Sequence, residues 1–381
     1  MTGSRRTPRP PRRRSVSAWW RDVVYDRTVV RPPGLYAVWF LVFCSIVYGI
    51  ISFVALRLRA RDAAGAAVPV ISVGNLVVGG TGKTPLVVYL ARLLVREGHR
   101  VVVVSRGYGR TGDDPLIVSR GERALVGWRD AGDEPSLISM LARGAGVIVS
   151  SRRSDGVRVA VEKLGAGVIL LDDGMQHVQL ARDLDIVAVD ARSPLGNGHL
   201  LPAGPLREHP LGVVRAGLIV ATRCDRAGGA ANVRRTIGHL ATDVPIVETR
   251  MRLAELWDVS SGHAVKLADI REGTAFAVAG IADPDDFRET LDELGFDVVG
   301  LHAFADHHEF TDDDIADLDE ELNDLGANVV LTTEKDAVRL RGWRPRVPLV
   351  AVGIDIEVTH GEDHMREALA GAITRGRRND A

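Results

Sequence analysis

From residue 68 to about 245 the chain alternates between short apolar runs and stretches whose apolar residues recur every three or four positions. The runs at 70–73, 100–105, 146–150, 168–171, 185–189 and 218–221 are mostly unbroken Val, Ile and Leu, the pattern of strands buried on both faces of a parallel sheet. The stretches at 85–97, 134–142 and 157–164 carry helical spacing. Strand and helix in alternation predict a doubly wound, mostly parallel α/β domain. A smaller α/β lobe begins near Pro245, with strands at 274–279, 329–332 and 347–354. Its helices open at Asp283-Pro284, a cap followed by proline in the first turn, and at Thr311, running to about Leu294 and Leu325.

Ahead of this pattern, residues 35–56 contain no charged side chain. As a helix they would rise about 33 Å, close to the thickness of a hydrocarbon core. Tyr36, Trp39 and Tyr48 suit a membrane interface. The run begins late, is long, and lacks a clean cleavage pattern after it, which argues against a removed signal peptide; a buried core helix is the alternative. The division expected is a basic, disordered leader at 1–34, a membrane helix at 35–60, a nucleotide-binding core at 61–243 and the smaller lobe at 244–381. Arginines flank both ends of the apolar run, so they do not orient it. A nucleotide site must face the cytoplasm, and a helix lying in the inner leaflet would let both basic flanks face that side.

Composition changes this picture little. The net charge of −2 over 381 residues argues against a general nucleic-acid binder, although the leader alone carries nine arginines that can meet anionic lipid or nucleic acid. Cys44 and Cys224 offer neither a metal spacing nor a disulfide framework. Lysine is confined to Lys83, Lys163, Lys266 and Lys335.

The candidate chemistry centres on the first strand and helix. Between them stand Gly79, Gly80, Thr81, Gly82, Lys83 and Thr84, followed by Pro85. A glycine-rich loop entering a helix aims its amides at a phosphate chain, with Lys83 reaching the terminal phosphates and the Thr84 hydroxyl on Mg²⁺. Val77 stands where the usual pattern has its first glycine, so the loop is a variant P-loop. Asp172 and Asp173 follow the run at 168–171, where P-loop enzymes hold Mg²⁺ at the end of a buried strand. Asp133, just before a helix, reads as an N-cap on sequence alone. His307, after Asp306, is a general base, a phosphate contact or part of a polar loop. Arg106 and Arg207 could grip phosphate.

Taken together, Gly74-Asn75-Leu76 with Gly79-Gly80-Thr81-Gly82-Lys83-Thr84-Pro85, Arg106-Gly107-Tyr108-Gly109-Arg110, Gly132-Asp133-Glu134-Pro135, Asp172-Asp173-Gly174-Met175-Gln176-His177, Pro205-Leu206-Arg207-Glu208, Asp306-His307 and Thr333-Glu334-Lys335-Asp336 resemble the motifs of the tetraacyldisaccharide 4′-kinase family, in the same order, across residues 35–340. The resemblance implies a P-loop kinase on the cytoplasmic face of the bacterial inner membrane. Such a kinase moves the γ-phosphate of ATP, with Mg²⁺, to the 4′-hydroxyl of a lipid A disaccharide 1-phosphate. It implies no nucleic acid and no obligate protein partner beyond the membrane lipid. It also implies Asp133 as base paired with His307 and its neighbour Asp306, Asp173 as a proton-handling carboxylate beside Lys83, and Thr84, Asp172 and Glu208 as the Mg²⁺ set. Arg207, Arg106 and Arg153 (or Arg152) become the phosphate contacts. Met175 departs from an expected Phe, the leader is longer than in the family, and the apolar run is more hydrophobic. The rival readings are a membrane-associated P-loop ATPase switch, disfavoured because Val78 stands where that group carries a lysine, and a kinase of another amphiphile. Thr332–Asp336 is a candidate adenine contact.

Overall fold

A run such as Val101–Ser105, with every residue buried, can only be an interior strand, because neither face tolerates water. The computed structural model describes residues 34–107, 110, 115–226 and 228–378 and places such runs side by side. The leader up to residue 33, and Tyr108 and Gly109 of the arginine–glycine motif, lie outside the described residues. The chain enters through α1 (Gly34–Arg59), then β1 (Val70–Gly74), α2 (Lys83–Arg96), β2 (Val101–Ser105) and β3 (Leu116–Arg120). It continues with α3 (Asp133–Leu141), β4 (Gly146–Val149), α4 (Arg153–Leu164), β5 (Val168–Asp172), β6 (Leu184–Asp190) and β7 (Leu218–Thr222). The remainder contributes β8 (Ile246–Asp258), β9 (Ala264–Val265), β10 (Thr274–Ala279), α5 (Pro284–Glu293), β11 (Asp297–Ala303), α6 (Asp312–Leu325), β12 (Val329–Thr333), α7 (Glu334–Leu340), β13 (Leu349–His360) and α8 (Glu362–Arg378).

The described strands form one thirteen-stranded sheet in the order β11-β10-β12-β13-β8-β7-β6-β1-β5-β2-β4-β3, with β9 beside β8. Neighbours are parallel except at β3–β4, β8–β13 and β8–β9. β1 lies between β5 and β6, and successive crossovers leave on either side of it, which opens a crevice at its carboxyl end. The strands and helices expected from the apolar runs are present within a few residues of their anticipated ends.

Three features differ from expectation. β3 and β11 are strands that the sequence pattern did not signal, because each lies at a sheet edge and keeps one face partly wet. β8 begins parallel to β7 and continues antiparallel to β13, so a solvent-facing ribbon with Arg and Glu on alternate positions joins the lobes. The last strand therefore runs to His360 rather than ending at Ile354, and α8 follows it back to the first lobe. There Met365, Leu369, Ala372 and Ile373 pack into the same core as Ile71, Leu86 and Leu90. The terminal helix, expected with the lobe at 244–381, thus packs against the first lobe.

α1 is long and apolar enough to cross a membrane over Trp39–Arg59. One side is tied to the first lobe: Ser45 Oγ donates to the Leu200 carbonyl (2.8 Å), the Ala203 amide donates to Ser45 Oγ (3.0 Å), and Tyr48 donates to the Arg207 carbonyl (2.8 Å). The other side exposes Trp39, Phe40, Phe43, Ile46, Ile50 and Phe53. The alternative of a buried core helix does not hold.

Candidate active site

A cavity of about 890 Å³ opens at the carboxyl ends of the central strands. Its floor is the loop Gly79–Thr84. Gly82 adopts φ 77°, left-handed, and a Cβ there would lie 2.6 Å from the Met251 side chain, so only glycine fits the bend into α2 without displacement. Around the loop, Asn75 Nδ2 donates to Thr81 Oγ1 (2.9 Å) and Thr222 Oγ1 donates to the Thr81 carbonyl (2.9 Å). Arg223 Nη1 donates to the Gly80 carbonyl (3.0 Å). These bonds fix the shape of the loop, and Arg223 itself lines the cavity.

Lys83 stands at the start of α2. Its ammonium donates to Asn75 Oδ1 (3.0 Å) and lies 3.2 Å from Asp173 Oδ1. Arg207 Nη1 donates to both Asp173 oxygens, at 2.9 and 2.7 Å. Burial works against charge on Asp173, but Lys83 and Arg207 outweigh it and hold the carboxyl well below the usual range. Asp173 itself takes a left-handed φ of 52°, a conformation that costs free energy outside glycine and turns its side chain toward the lysine. Asp172 ends β5, accepts a hydrogen bond from Ser105 Oγ (2.8 Å), and is pushed up to about 6 by burial and by the charges of Glu134 and Asp173.

The opposite wall brings both lobes together. Asp133 begins α3, where its charge meets the positive end of the helix. His307 Nδ1 lies 2.9 Å from Asp133 Oδ2, and the Glu134 amide donates to Asp133 Oδ1 (2.9 Å). Lys335 Nζ donates to Asp306 Oδ1 (3.0 Å) and lies 3.2 Å from His307 Nε2. An ammonium can only donate, so in this arrangement Nε2 accepts and the Nδ1–H points at Asp133. Burial would raise Asp133, but the His307 hydrogen bond and Lys335 bring it down to about 2. The bond to Asp133 raises His307 above its ordinary value, against burial and the Lys335 charge.

Among the expected residues, Gly79, Gly80, Thr81, Gly82, Lys83, Thr84, Arg106, Asp133, Asp172, Asp173, Arg207, Asp306 and His307 all line this one cavity. Arg153 and Glu208 do not. Arg153 is buried and donates to the carbonyls of Ser150 (2.7 Å) and Asp172 (3.1 Å), bracing the end of β5 from behind. Glu208 is buried against Arg215 (2.7 Å) and accepts from Gln176 (2.9 Å). Its carboxylate is already neutralised away from the cavity wall. Asn75 and Glu134 stand in the motifs Gly74-Asn75-Leu76 and Gly132-Asp133-Glu134-Pro135 with no role assigned from the sequence, and Arg223 was not singled out. Asn75 followed an apolar run like any turn residue, and Arg223 was one arginine among many. Glu134 was hidden by its neighbour Asp133. Thr333, Glu334 and Lys335 of the candidate adenine segment also line the cavity.

The field in the cavity favours anions on one side. Burial and the charges of Arg153 and Arg106 push His177 down to about 4 and keep it neutral. On the other flank α1 contributes Tyr48, Ile51, Ser52, Ala55 and Leu56 to the wall, so an apolar surface adjoins the charged one. The cavity can therefore take a phosphate chain on the loop and an amphiphile along α1.

Comparison with known proteins points the same way. The family model described as tetraacyldisaccharide-1-P 4′-kinase matches residues 37–374. The tetraacyldisaccharide 4′-kinase of Anaeromyxobacter sp. (strain Fw109-5) is 44% identical over 315 residues, covering 82% of this chain and 85% of that protein. That of Pelobacter propionicus is 38% identical over 332 residues, covering 86% and 90%. Among solved structures, LpxK from Aquifex aeolicus in complex with ATP superposes with a TM-score of 0.70 at 31% identity, covering 86% of this chain and 97% of that one.

Proposed function

The chain belongs to the tetraacyldisaccharide-1-phosphate 4′-kinase family, and from that membership we propose how its residues carry the reaction. It is an ATP-dependent kinase of lipid A biosynthesis. The γ-phosphate of ATP goes to the 4′-hydroxyl of a tetraacyldisaccharide 1-phosphate. The observation that carries the assignment of roles is the meeting, in one cavity, of the Lys83–Asp173–Arg207 trio, the Asp133–His307 pair and the apolar flank of α1.

The loop at 79–84 cradles the phosphates, and Lys83, fixed by Asn75 and Asp173, meets the charge that develops on the transferred group. Among the described residues no cluster of three or more His, Cys, Asp or Glu forms a ready cage for a cation. That suits Mg²⁺, which takes one or two protein ligands and completes its shell with phosphate and water. Thr84 and Asp172 would hold it, and it would neutralise charge on the β- and γ-phosphates. Glu208 supports Gln176 and Arg215 instead.

Asp133 accepts the hydrogen bond of the sugar hydroxyl and takes its proton late, with His307 holding the carboxylate in place. A carboxyl held at about 2 is a weak base, but phosphoryl transfer with a loose transition state asks mainly for orientation of the nucleophile. Arg106, in the basic flank beside His177, receives the 1-phosphate, while Arg207 holds Asp173. We place the enzyme at the cytoplasmic face of the inner membrane, attached through α1, with a nucleotide-binding core, α8 included, and a smaller second lobe.

Transfer of labelled phosphate from ATP to a tetraacylated disaccharide 1-phosphate in detergent tests this directly, with Lys83→Ala as control. A bisphosphorylated lipid from the parent alone supports the reading. ATP hydrolysis without lipid product would replace it with a nucleotide-driven switch.

A further inference from the structure

Outside α1, the large apolar side chains that stand most exposed among the described residues are few: Leu125, Leu211, Val214 and Val299. Two of them, Leu211 (55% exposed) and Val214 (58%), share the single helical turn Pro210–Arg215. That turn is not a loose loop. Val213 is buried in a core cluster with Leu76, Val77 and Leu206, Gly212 is buried, and Arg215 is clamped to Glu208 at 2.7 Å. His209 caps it by accepting from the Leu211 amide (3.2 Å). The fold therefore holds two apolar side chains rigidly in water, which is unfavourable unless something covers them.

The turn begins three residues beyond Arg207, whose carbonyl is where Tyr48 of α1 is fastened. The turn and α1 thus adjoin each other through a shared hydrogen-bonded junction. The exposed Arg215 and His209 flank the apolar pair, as polar-tipped residues do at the headgroup level of a bilayer.

We propose that the turn Pro210–Arg215 is a second membrane contact, with Leu211 and Val214 entering the interfacial layer beside α1. This rests on the reading of α1 as a membrane element. A lone helix leaves the attached domain free to swivel about it, whereas two contacts set the domain's angle. Because Arg207 and α1 both line the cavity, the angle so fixed turns its lipid flank toward the bilayer surface.

The test places an environment-sensitive fluorophore on the full chain through a cysteine introduced at residue 211, 214, 50 or 125, with Cys44 and Cys224 replaced by serine and kinase activity checked. Vesicles of phosphatidylethanolamine with a minor share of phosphatidylglycerol are then added, with bromine in the acyl chains as quencher. Quenching at 211 and 214 together with 50, and none at 125, is the expected result. Quenching at 50 with 211 and 214 still water-like would leave the anchor standing and overturn the second contact. No quenching at any position would overturn the membrane reading of α1 and this inference with it. A probe at 211 already shielded from an aqueous quencher without vesicles would also overturn it, since another part of the chain would then cover the turn. The pair Leu211→Asn with Val214→Asn should lower vesicle partitioning by on the order of tenfold. Turnover of a detergent-dispersed acceptor should stay unchanged in that variant. Unchanged partitioning would count against the proposal.

Discussion

The two charged clusters of the cavity are built differently. Lys83, Asp173 and Arg207 all come from the first lobe, at the start of α2, just after β5 and on the loop that α1 grips. Asp133 comes from the first lobe as well, but His307, Asp306 and Lys335 come from the second. The first cluster is complete whatever the lobes do. The second exists only when they are correctly set, because a 2.9 Å contact between lobes is lost with a shift of an ångström. We read the first as a permanent phosphate grip and the second as the part that depends on lobe placement. The lobes are held by an ion network: Arg192 contacts Asp283 and Asp286 (both 3.0 Å), and Arg223 spans Asp190 (2.9 Å), Asp286 (3.1 Å) and the Gly80 carbonyl.

The largest loss is expected from removing the ammonium of the first cluster. Lys83→Ala should lower kcat by about 10³-fold or more and leave Asp173 bound to Arg207 alone. Substantial residual transfer would show that the first cluster is not the phosphate grip. Asp133→Asn should lower kcat by about 10²- to 10⁴-fold with nucleotide affinity nearly unchanged, as measured by titration calorimetry. A matching loss of ATP affinity would mean that the two clusters are not separable.

Asp286→Asn weakens the ion network between the lobes and leaves every member of the two charged clusters in place, although Asp286 also lines the cavity and holds Arg223. Turnover should fall roughly 2- to 30-fold, the range in which residues between sites modulate coupling, while ATP affinity holds. The pair itself can be read without activity. His307 is raised above 6.5, so the stability it contributes is fully present below 6.5 and is lost as the pH rises through its higher folded value. Asp133 is depressed, so its contribution is present above 3.8 and is lost as the pH falls through about 2. Both contributions are complete between those limits. In Asp133→Asn the His307 titration followed by NMR should move down; an unmoved midpoint would deny the pairing. The smallest effect expected is that of Tyr48→Phe, which removes one hydrogen bond to the Arg207 carbonyl and should cost about 0.5–1.5 kcal/mol in denaturant unfolding.

Much of this molecule is legible in its sequence because its central strands are buried on both faces. Continuous runs such as Val101–Ser105 announce themselves, and the order of strand, glycine loop and helix placed Lys83 and Thr84 without any structure. The motifs named the family, since their set and order span most of the chain. Edge strands and the β8–β13 ribbon escaped because a half-wet strand dilutes the apolar signal.

Local features are written in the residues themselves: which segments are strands or helices, where a phosphate chain can sit, and that an uncharged helix precedes the core. Which side chain meets which emerges only from the packed fold. Asp133 and His307 are 174 positions apart, and no spacing rule joins them. Arg153 and Glu208 carried the same charge signals as Arg207 and Asp173, yet the fold turned the first pair inward as braces and the second toward the cavity. The physical reason is that periodicity reports how a segment meets water, whereas a site is made by side chains whose neighbours arrive from distant segments, and that information appears only once the layers have packed.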